Sequence, residues 1–462
     1  MNLLLVASEL PPYVRRSNTG GSVAALAKAL SLIGEEPRVI LPLSASYANE
    51  GLLVARRVSP LVSEEQEIDV YDVALPSGVR VHLVDCGEEP SSTGSLSAKA
   101  CGTFARAVVA LIEEEPAEVV QAYGPIAGLS LAALQNADNS AVRALVIEDI
   151  EGVEFDRDAA KELGIQAEAL HQDCFLSGQK IELLKGAVAA ADEVIVPSVE
   201  VANAWVSPEH GGAFARLLSE KETIGILGGV DSSVYNPASD ASLAARYDAA
   251  QPGAKVENRE TMLATLTPPL DDLVGPEREP ALVFVEPGQD TDANDALLLA
   301  LAQLNGSGLQ FIISGGEFDD DQRDALAELK TSCRLLKLRS DRERRRWLAA
   351  ADFYLSIERN EVSAGRLQEA ARYGALPLAL ARLAAKDAIV DCDAELQTGT
   401  GFLYDSLSVP SLVDVLARAL AARSHQGFVA LIQRTMRQDL GWDRPARRYL
   451  GLWRRLANRS AD

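Results

Sequence analysis

The apolar positions of this chain fall into short solid runs separated by segments of helical period. "LLLVA" near the N terminus precedes the helical segment "GGSVAALAKALSLIG", and the runs "PRVILP", "VRVHLVD", "AEVVQAY", "RALVIED" and "DEVIVPS" follow. Near residue 280 a second series opens with "ALVFVEP". It continues through "LQFIISGG", "RLLKL", "DFYLSIE", "ALPLALA" and "GFLYD", with helical segments such as "DDDQRDALAELK" and "SLVDVLARALAARS" between the strands. Strand-sized apolar runs alternating with helices predict parallel sheets covered on both faces.

Residues 240 to 280 interrupt the pattern with "AQPGAKVEN" and "LTPPLDDLVGPEREP", rich in Pro, Gly and acid, and read as a linker. The predicted architecture is α/β, with two doubly wound, Rossmann-like domains facing each other across a cleft. The expected boundaries are 1–240 for the first domain, 241–280 for the linker and 281–445 for the second domain. An amphipathic helix over 446–462, with Tyr449, Leu452 and Trp453 on one side, is expected to pack back across the domains. Sheets of this kind hold ligands at the carboxyl ends of their strands, and domain interfaces favour pockets.

Composition narrows the function classes. The chain has 462 residues and a net charge of −23, which disfavours nucleic acid and anionic membranes as main partners. Its longest apolar runs are strand-sized, well short of the ~20 residues a bilayer requires. "MNLLLVASELPP" lacks the charged start and small-residue cleavage site of a signal peptide. The five cysteines (Cys86, Cys101, Cys174, Cys333 and Cys392) are scattered and show no CxxC spacing, so reduced thiols and a cytoplasmic location are expected. The four histidines have no metal-ligand spacing, and no metal site is expected.

Candidate chemistry begins at "VRRSNTGGSVAALAKALSLIGEEPRVILP", residues 14 to 42. Thr19, Gly20 and Gly21 form a turn at a helix start. Glycines let backbone N–H groups approach an anion there, and the helix N-terminus adds partial positive charge. The residue before the turn is Asn18, which can hydrogen-bond but carries no charge.

Six segments, in one order along the chain, resemble those of a known family. "LLLVASELPPY…NTGGSVAALAKAL" is similar to its "ASE-P…KTGGL" segment, and "GQKIELLKGAVAAADEVIVPS" to its "K-N-LK-G---AD-V-TVS" segment. "TIGILGGVDSSVYNPASD", "ARYGALPLA", "GTGFLYD" and "MRQDLGWDRPARRYLGLW" match four more. The family is that of the bacterial glycogen synthases and plant starch synthases, retaining glucosyltransferases (family 5) of GT-B fold. The resemblance implies glucose transfer from ADP-glucose or UDP-glucose to the non-reducing end of an α-1,4-glucan. It implies no metal or other cofactor, and it indicates no protein partner.

The charged positions depart from the family pattern. Asn18 stands where the family carries Lys, with Arg15 and Arg16 nearby as possible substitutes. "QAYGP", Gln121 to Pro125, replaces "HAHDW", and Glu148 falls where a histidine would contact the sugar. Glu286 falls at the arginine, and Thr291 or Asp292 at the lysine, that would grip the diphosphate. Glu361 keeps the acid of the family's "E-CGL" loop, whereas Ser363 and Ala364 replace its Cys and Gly. Arg382, Leu383 and Ala384 replace a Thr-Gly-Gly turn, putting Cβ atoms where backbone amides would approach the diphosphate. Gly315 and Gly316 keep a turn after a strand.

The expected set is thus Glu361 as the catalytic residue, with Asn18, Thr19, Gly20, Gly21, Glu148, Ser363 and Gly316 as substrate or nucleotide contacts. A cluster of Arg339, Arg342, Arg344, Arg345 and Arg346 either rebuilds a phosphate site, with Arg342, Arg345 and Arg346 on one face, or forms a solvated face. Two readings follow from the intact fold motifs beside altered charged ones. One is a degenerate homologue that holds a glucan or nucleotide sugar; the other is an active glucosyltransferase with a remodelled donor site.

Overall fold

The computed structural model describes residues 1–11, 18–43, 55–56, 59–63, 66–88, 90–91, 95–150, 152–267, 269–270, 280–329 and 332–461. The chain forms two compact units, residues 1–228 with 442–462, and residues 229–441.

The first unit is built on a nine-stranded sheet. In spatial order its strands are Thr223–Gly225, Glu193–Val196, Val142–Val146, Val119–Tyr123, Asn2–Val6, Glu36–Pro42, Arg80–Val84, Val70–Ala74 and Ala55–Arg56. The seven strands from Thr223–Gly225 to Arg80–Val84 pair in parallel, and the last two add on antiparallel. Burial on both faces explains the unbroken apolar runs, because helices such as Asn18–Leu32 and Ala98–Glu114 cover the sheet. Ser97 starts the second of these helices by accepting the Ala100 N–H at 3.3 Å.

The second unit holds a six-stranded, wholly parallel sheet. Its order is Cys333–Leu336, Leu309–Ser314, Ala281–Val285, Phe353–Leu355, Leu376–Leu380 and Phe402–Tyr404. Numbered along the chain this is 3-2-1-4-5-6, the doubly wound arrangement whose order reverses between its first and fourth strands.

The unit boundaries differ from those expected. Residues 229–270 lie in the second unit, so the described part of the expected linker is packed structure. Tyr247 donates its hydroxyl to Tyr373 O at 2.7 Å. Lys255, buried at the head of the helix Lys255–Leu263, donates to the carbonyls of Leu348, Ala349 and Tyr373 at 3.3, 2.9 and 2.8 Å. Those carbonyls end the helices Asp341–Ala350 and Gly365–Arg372, where unsatisfied acceptors need donors. Composition pointed to a free segment because these anchors are single residues in a polar context.

The C-terminal helix Asp443–Ala461 belongs to the first unit. Ala446, Tyr449, Leu450, Leu452, Trp453 and Leu456 are buried in that unit's core. Trp453 is fully enclosed, and its indole N–H donates to Gln121 Oε1 at 3.1 Å. Trp453→Ala should therefore destabilise the first unit by ~3–5 kcal/mol, through lost packing and an orphaned Gln121 acceptor. Urea unfolding followed by far-ultraviolet circular dichroism reads this directly, and an unchanged midpoint would show that the helix is not anchored there.

Candidate functional site

In each unit the strand order reverses beside the first strand of the sheet, and the loops leaving the carboxyl ends at that point are where this architecture holds ligands. In the first unit those loops follow Val6 and Tyr123. Glu9, three residues past its strand, is buried and accepts the Gly20 N–H at 3.4 Å. A Cβ on Gly20 would come within 3.0 Å of the Glu9 side chain, so the turn needs glycine to admit this carboxylate. Gly21 faces open space. Asn18 and Thr19 form the first helical positions of Asn18–Leu32, and Arg15 and Arg16 lie outside the described residues.

Gln121 is fully enclosed. Its amide donates to Tyr123 Oη at 2.7 Å and its carbonyl receives Trp453, so its polar atoms serve the core. Burial raises the Tyr123 and Tyr449 hydroxyls well out of the physiological range, and the nearby Glu148 charge adds to both shifts. Glu148 itself is half-buried just past Val142–Val146.

In the second unit the order reverses between Ala281–Val285 and Phe353–Leu355. Glu286 is the first residue past one strand and Ser356 the first past the other. The Glu286 carboxylate, about one-tenth exposed, receives Arg344 Nε at 2.7 Å on one oxygen and Arg366 Nη1 at 3.0 Å on the other. Arg344 reaches further, placing Nη1 2.5 Å from Glu369. Buried Ser356 donates its hydroxyl to Glu361 at 2.5 Å, and Tyr404 holds the Ser356 carbonyl at 2.8 Å.

Burial raises the Glu361 carboxyl to about 7; Glu358 and Glu286 add to the rise, while the Ser356 hydroxyl and Arg366 oppose it. Glu358, also raised by burial, lies against Gly288, where a Cβ would meet its carboxylate at 2.4 Å. Arg359 pairs with Asp290 at 2.7 Å. Glu286, Glu369 and Asp290 are thus paired with arginines, whereas Glu361 is held by a hydroxyl.

The expected residues divide between the two units. Glu361 and Ser363 share one loop, and Ser363 Oγ accepts the Gly365 N–H at 3.4 Å. Gly316 sits at φ +79°, in a turn packed against Pro287 and Phe318. Gly20, Gly21 and Glu148 belong to the first unit. Leu383 retains a positive φ of 50° that glycine would adopt without strain, yet its side chain is buried. The Ala384 N–H donates to Glu361 O at 3.1 Å.

The arginine cluster divides, with Arg339 and Arg342 exposed and Arg344 and Arg345 turned inward. Arg344 is buried between Glu286 and Glu369, and Arg345 pairs with Asp240 at 2.8 Å and Asp341 at 2.5 Å. A buried guanidinium requires such partners, so these two side chains are internal struts. Sequence reasoning also missed Glu9, Ser356, Glu358 and Arg366. For Arg366 a signal existed: an acid placed at the end of a buried strand, as in "VFVEP", requires a cation nearby.

The comparisons agree with this architecture. A family model described as the starch synthase catalytic domain matches residues 2–220. A glycogen synthase of Yersinia pseudotuberculosis is 28% identical over 99% of this chain and all of its own length. Glycogen synthase 2 of Agrobacterium fabrum is 25% identical, over 100% of this chain and 94% of its own. The solved catalytic domain of starch synthase IV from Arabidopsis thaliana, bound to ADP and acarbose, superposes with a TM-score of 0.84 at 19% identity, covering 99% of each chain. Over its whole length the chain is similar to glycogen synthases, and its residues 2–220 match the starch synthase catalytic domain.

Its fold is GT-B, which a sucrose-phosphate synthase from Thermosynechococcus elongatus also matches, with a TM-score of 0.60 at 14% identity. The comparisons support a glycogen/starch synthase-like glycosyltransferase. Among the described residues, no helix is long and apolar enough to cross a membrane, and no group of three or more His, Cys, Asp or Glu could hold a metal ion.

The Glu361 shift has a measurable sign. The folded group keeps its proton up to about 7, against an ordinary value of 4.5, so between those values the folded state binds more protons. Stability contributed by the neutral acid is therefore present below the ordinary value and lost as pH rises toward 7. Glu361→Gln should flatten the fall in melting temperature between pH 4.5 and pH 7. Glu193, which burial also raises to about 7, keeps the same slope in both proteins and cancels in the difference. Parallel curves for the two proteins would place the Glu361 carboxyl at its ordinary value.

Proposed function

We propose that this chain keeps the glycogen/starch synthase scaffold with its donor chemistry lost or reduced to a trace, and that it holds a glucan or a nucleotide sugar in a binding or regulatory role. The observation that carries this reading is the Glu286 carboxylate closed between Arg344 and Arg366. Transfer from a nucleotide sugar loads negative charge onto a departing diphosphate, and preorganised cations stabilise it. Loss of one such donor typically slows a reaction by about 10²- to 10³-fold, and a carboxylate in its place adds repulsion. The buried Leu383 and the engaged Ala384 N–H support the same reading, because a backbone amide held by Glu361 O is withdrawn from a phosphate.

The starch synthase relative is named as bound to both ADP and acarbose. Of those two, the carboxylate-rich environment of Glu286, Glu358 and Glu361 favours a neutral, hydroxyl-bearing ligand, since carboxylates accept hydroxyl hydrogen bonds. The absence of a membrane-crossing helix among the described residues and the chain's net charge of −23 are consistent with a cytoplasmic role without nucleic acid or membrane partners.

A second reading, an active glucosyltransferase with a remodelled donor site, draws on Arg346 and Arg382. Both are partly exposed, and neither forms an ion pair among the described residues. Radiolabelled ADP-glucose and UDP-glucose, each incubated with glycogen and purified protein, separate the two readings. The expected result is no incorporation above background at micromolar enzyme. Turnover comparable to ordinary synthases, lost in Arg382→Ala, would establish the second reading instead.

A further inference from the structure

Two guanidinium groups from different helices converge on one carboxylate. Arg344 comes from Asp341–Ala350 and Arg366 from Gly365–Arg372, and each binds a separate oxygen of Glu286. Forked guanidinium donors meeting from two sides are the chemistry that recognises a phosphate or a carboxylate. Their meeting place is the carboxyl edge of the sheet beside its order reversal, where this architecture seats ligand phosphates. Glu286 reaches it from the end of its own strand. Arg344 is 8% exposed, and its Nη2 finds no protein acceptor, so the carboxylate's two oxygens leave one donor unmet. A phosphate group offers a third oxygen.

We propose that Arg344 and Arg366 form an anion-binding site, that Glu286 fills it as an internal ligand, and that a phosphate group is the external ligand Glu286 displaces. The donor-side cations are then present in the second unit and self-occupied. This rests on the reading of that unit as carrying a closed donor site, and it supplies the cause of the closure.

Removing the carboxylate should make the site available. Glu286→Ala leaves buried Arg344 with Glu369 alone and Arg366 without its ion pair, which is destabilising until another anion arrives. In chloride buffer this variant should melt below the wild type. Inorganic phosphate at matched ionic strength should raise its melting temperature by about 4 °C and leave the wild type unmoved. ADP should bind the variant at least about tenfold more tightly than it binds the wild type, a difference isothermal titration reads directly. A larger shift with ADP than with phosphate would identify a nucleoside diphosphate as the fitting ligand. Equal shifts would identify the phosphate group alone, and either supports the site.

Adding Arg366→Ala to the Glu286→Ala variant should abolish the phosphate response. The near-isosteric Glu286→Gln provides a second folded variant, with the same direction of effect. Absence of a phosphate response in folded Glu286→Ala and Glu286→Gln would overturn the proposal, as would an equal response in the wild type. Should neither variant fold in chloride, refolding in phosphate supports it and failure to refold in phosphate overturns it. No turnover is measured, so this outcome is independent of the glucose-incorporation result.

Discussion

A carboxylate at the inner edge of a parallel sheet must be matched by positive charge or neutralised, and in this protein Glu286 is matched. That requirement propagates. Arg344, drawn in to meet Glu286, is itself buried and takes Glu369 as a second partner. The helix that carries Arg344 is fixed on its neighbouring face by Arg345, which grips Asp240, and Tyr373 donates to the same aspartate oxygen at 2.6 Å. Charge placed at one strand end thus orders two helices and the segment that follows residue 229. Breaking any member exposes an uncompensated buried charge, whereas replacing the whole set with apolar groups need not be costly. The network is better understood as fixing where the helices sit than as a source of net stability.

The fold was legible in the sequence for a simple reason. Strands buried on both faces, such as "ALVFV" and "LLLV", must be apolar throughout, and the parallel connection needs a helix between them. The site was legible only in part. Glu286 and Glu361 could be placed because each lies a countable distance from a strand or a fixed motif. Ser356 could not, and Arg366 only as the unspecified cation that "VFVEP" requires, since what makes them matter is the spatial neighbour each meets across a loop. The arginine run near residue 344 misled in both directions. A run of five cations within eight residues looks solvated on an acidic chain, and nothing local indicates that two of them point inward to acids 58 and 105 positions away.

The divergence from the glycogen and starch synthases has a recognisable physical form. Against the family motifs that the sequence resembles, the expected packing positions keep their character: the glycine turns, the tyrosine at 373 and the tryptophan at 442. The expected charged positions change sign or lose it. A cation facing a bound anion can be exchanged for an anion facing a cation while the local sum of charge is held near zero. Glu286 and Glu369 with Arg344 and Arg366 follow that rule. Leu383 follows an analogous one for shape, since it preserves a positive φ while filling the turn with a side chain.

The path of the chain also bears on how the protein is made. The second unit is inserted, as residues 229–441, into a first unit whose last element is Asp443–Ala461. The ends of the insert are bonded to each other, with Val230 N–H donating to Leu440 O at 2.7 Å. On a ribosome adding roughly 5 to 20 residues per second, the insert takes on the order of 10 to 40 s to emerge. Throughout that interval the first unit lacks the helix that closes over Gln121 and packs against Asn18–Leu32 and Val142–Val146, because Trp453 has not yet been translated. The nascent chain therefore carries an apolar sheet face open to chaperones and to other nascent chains, and its earliest-synthesised half is among the last to close.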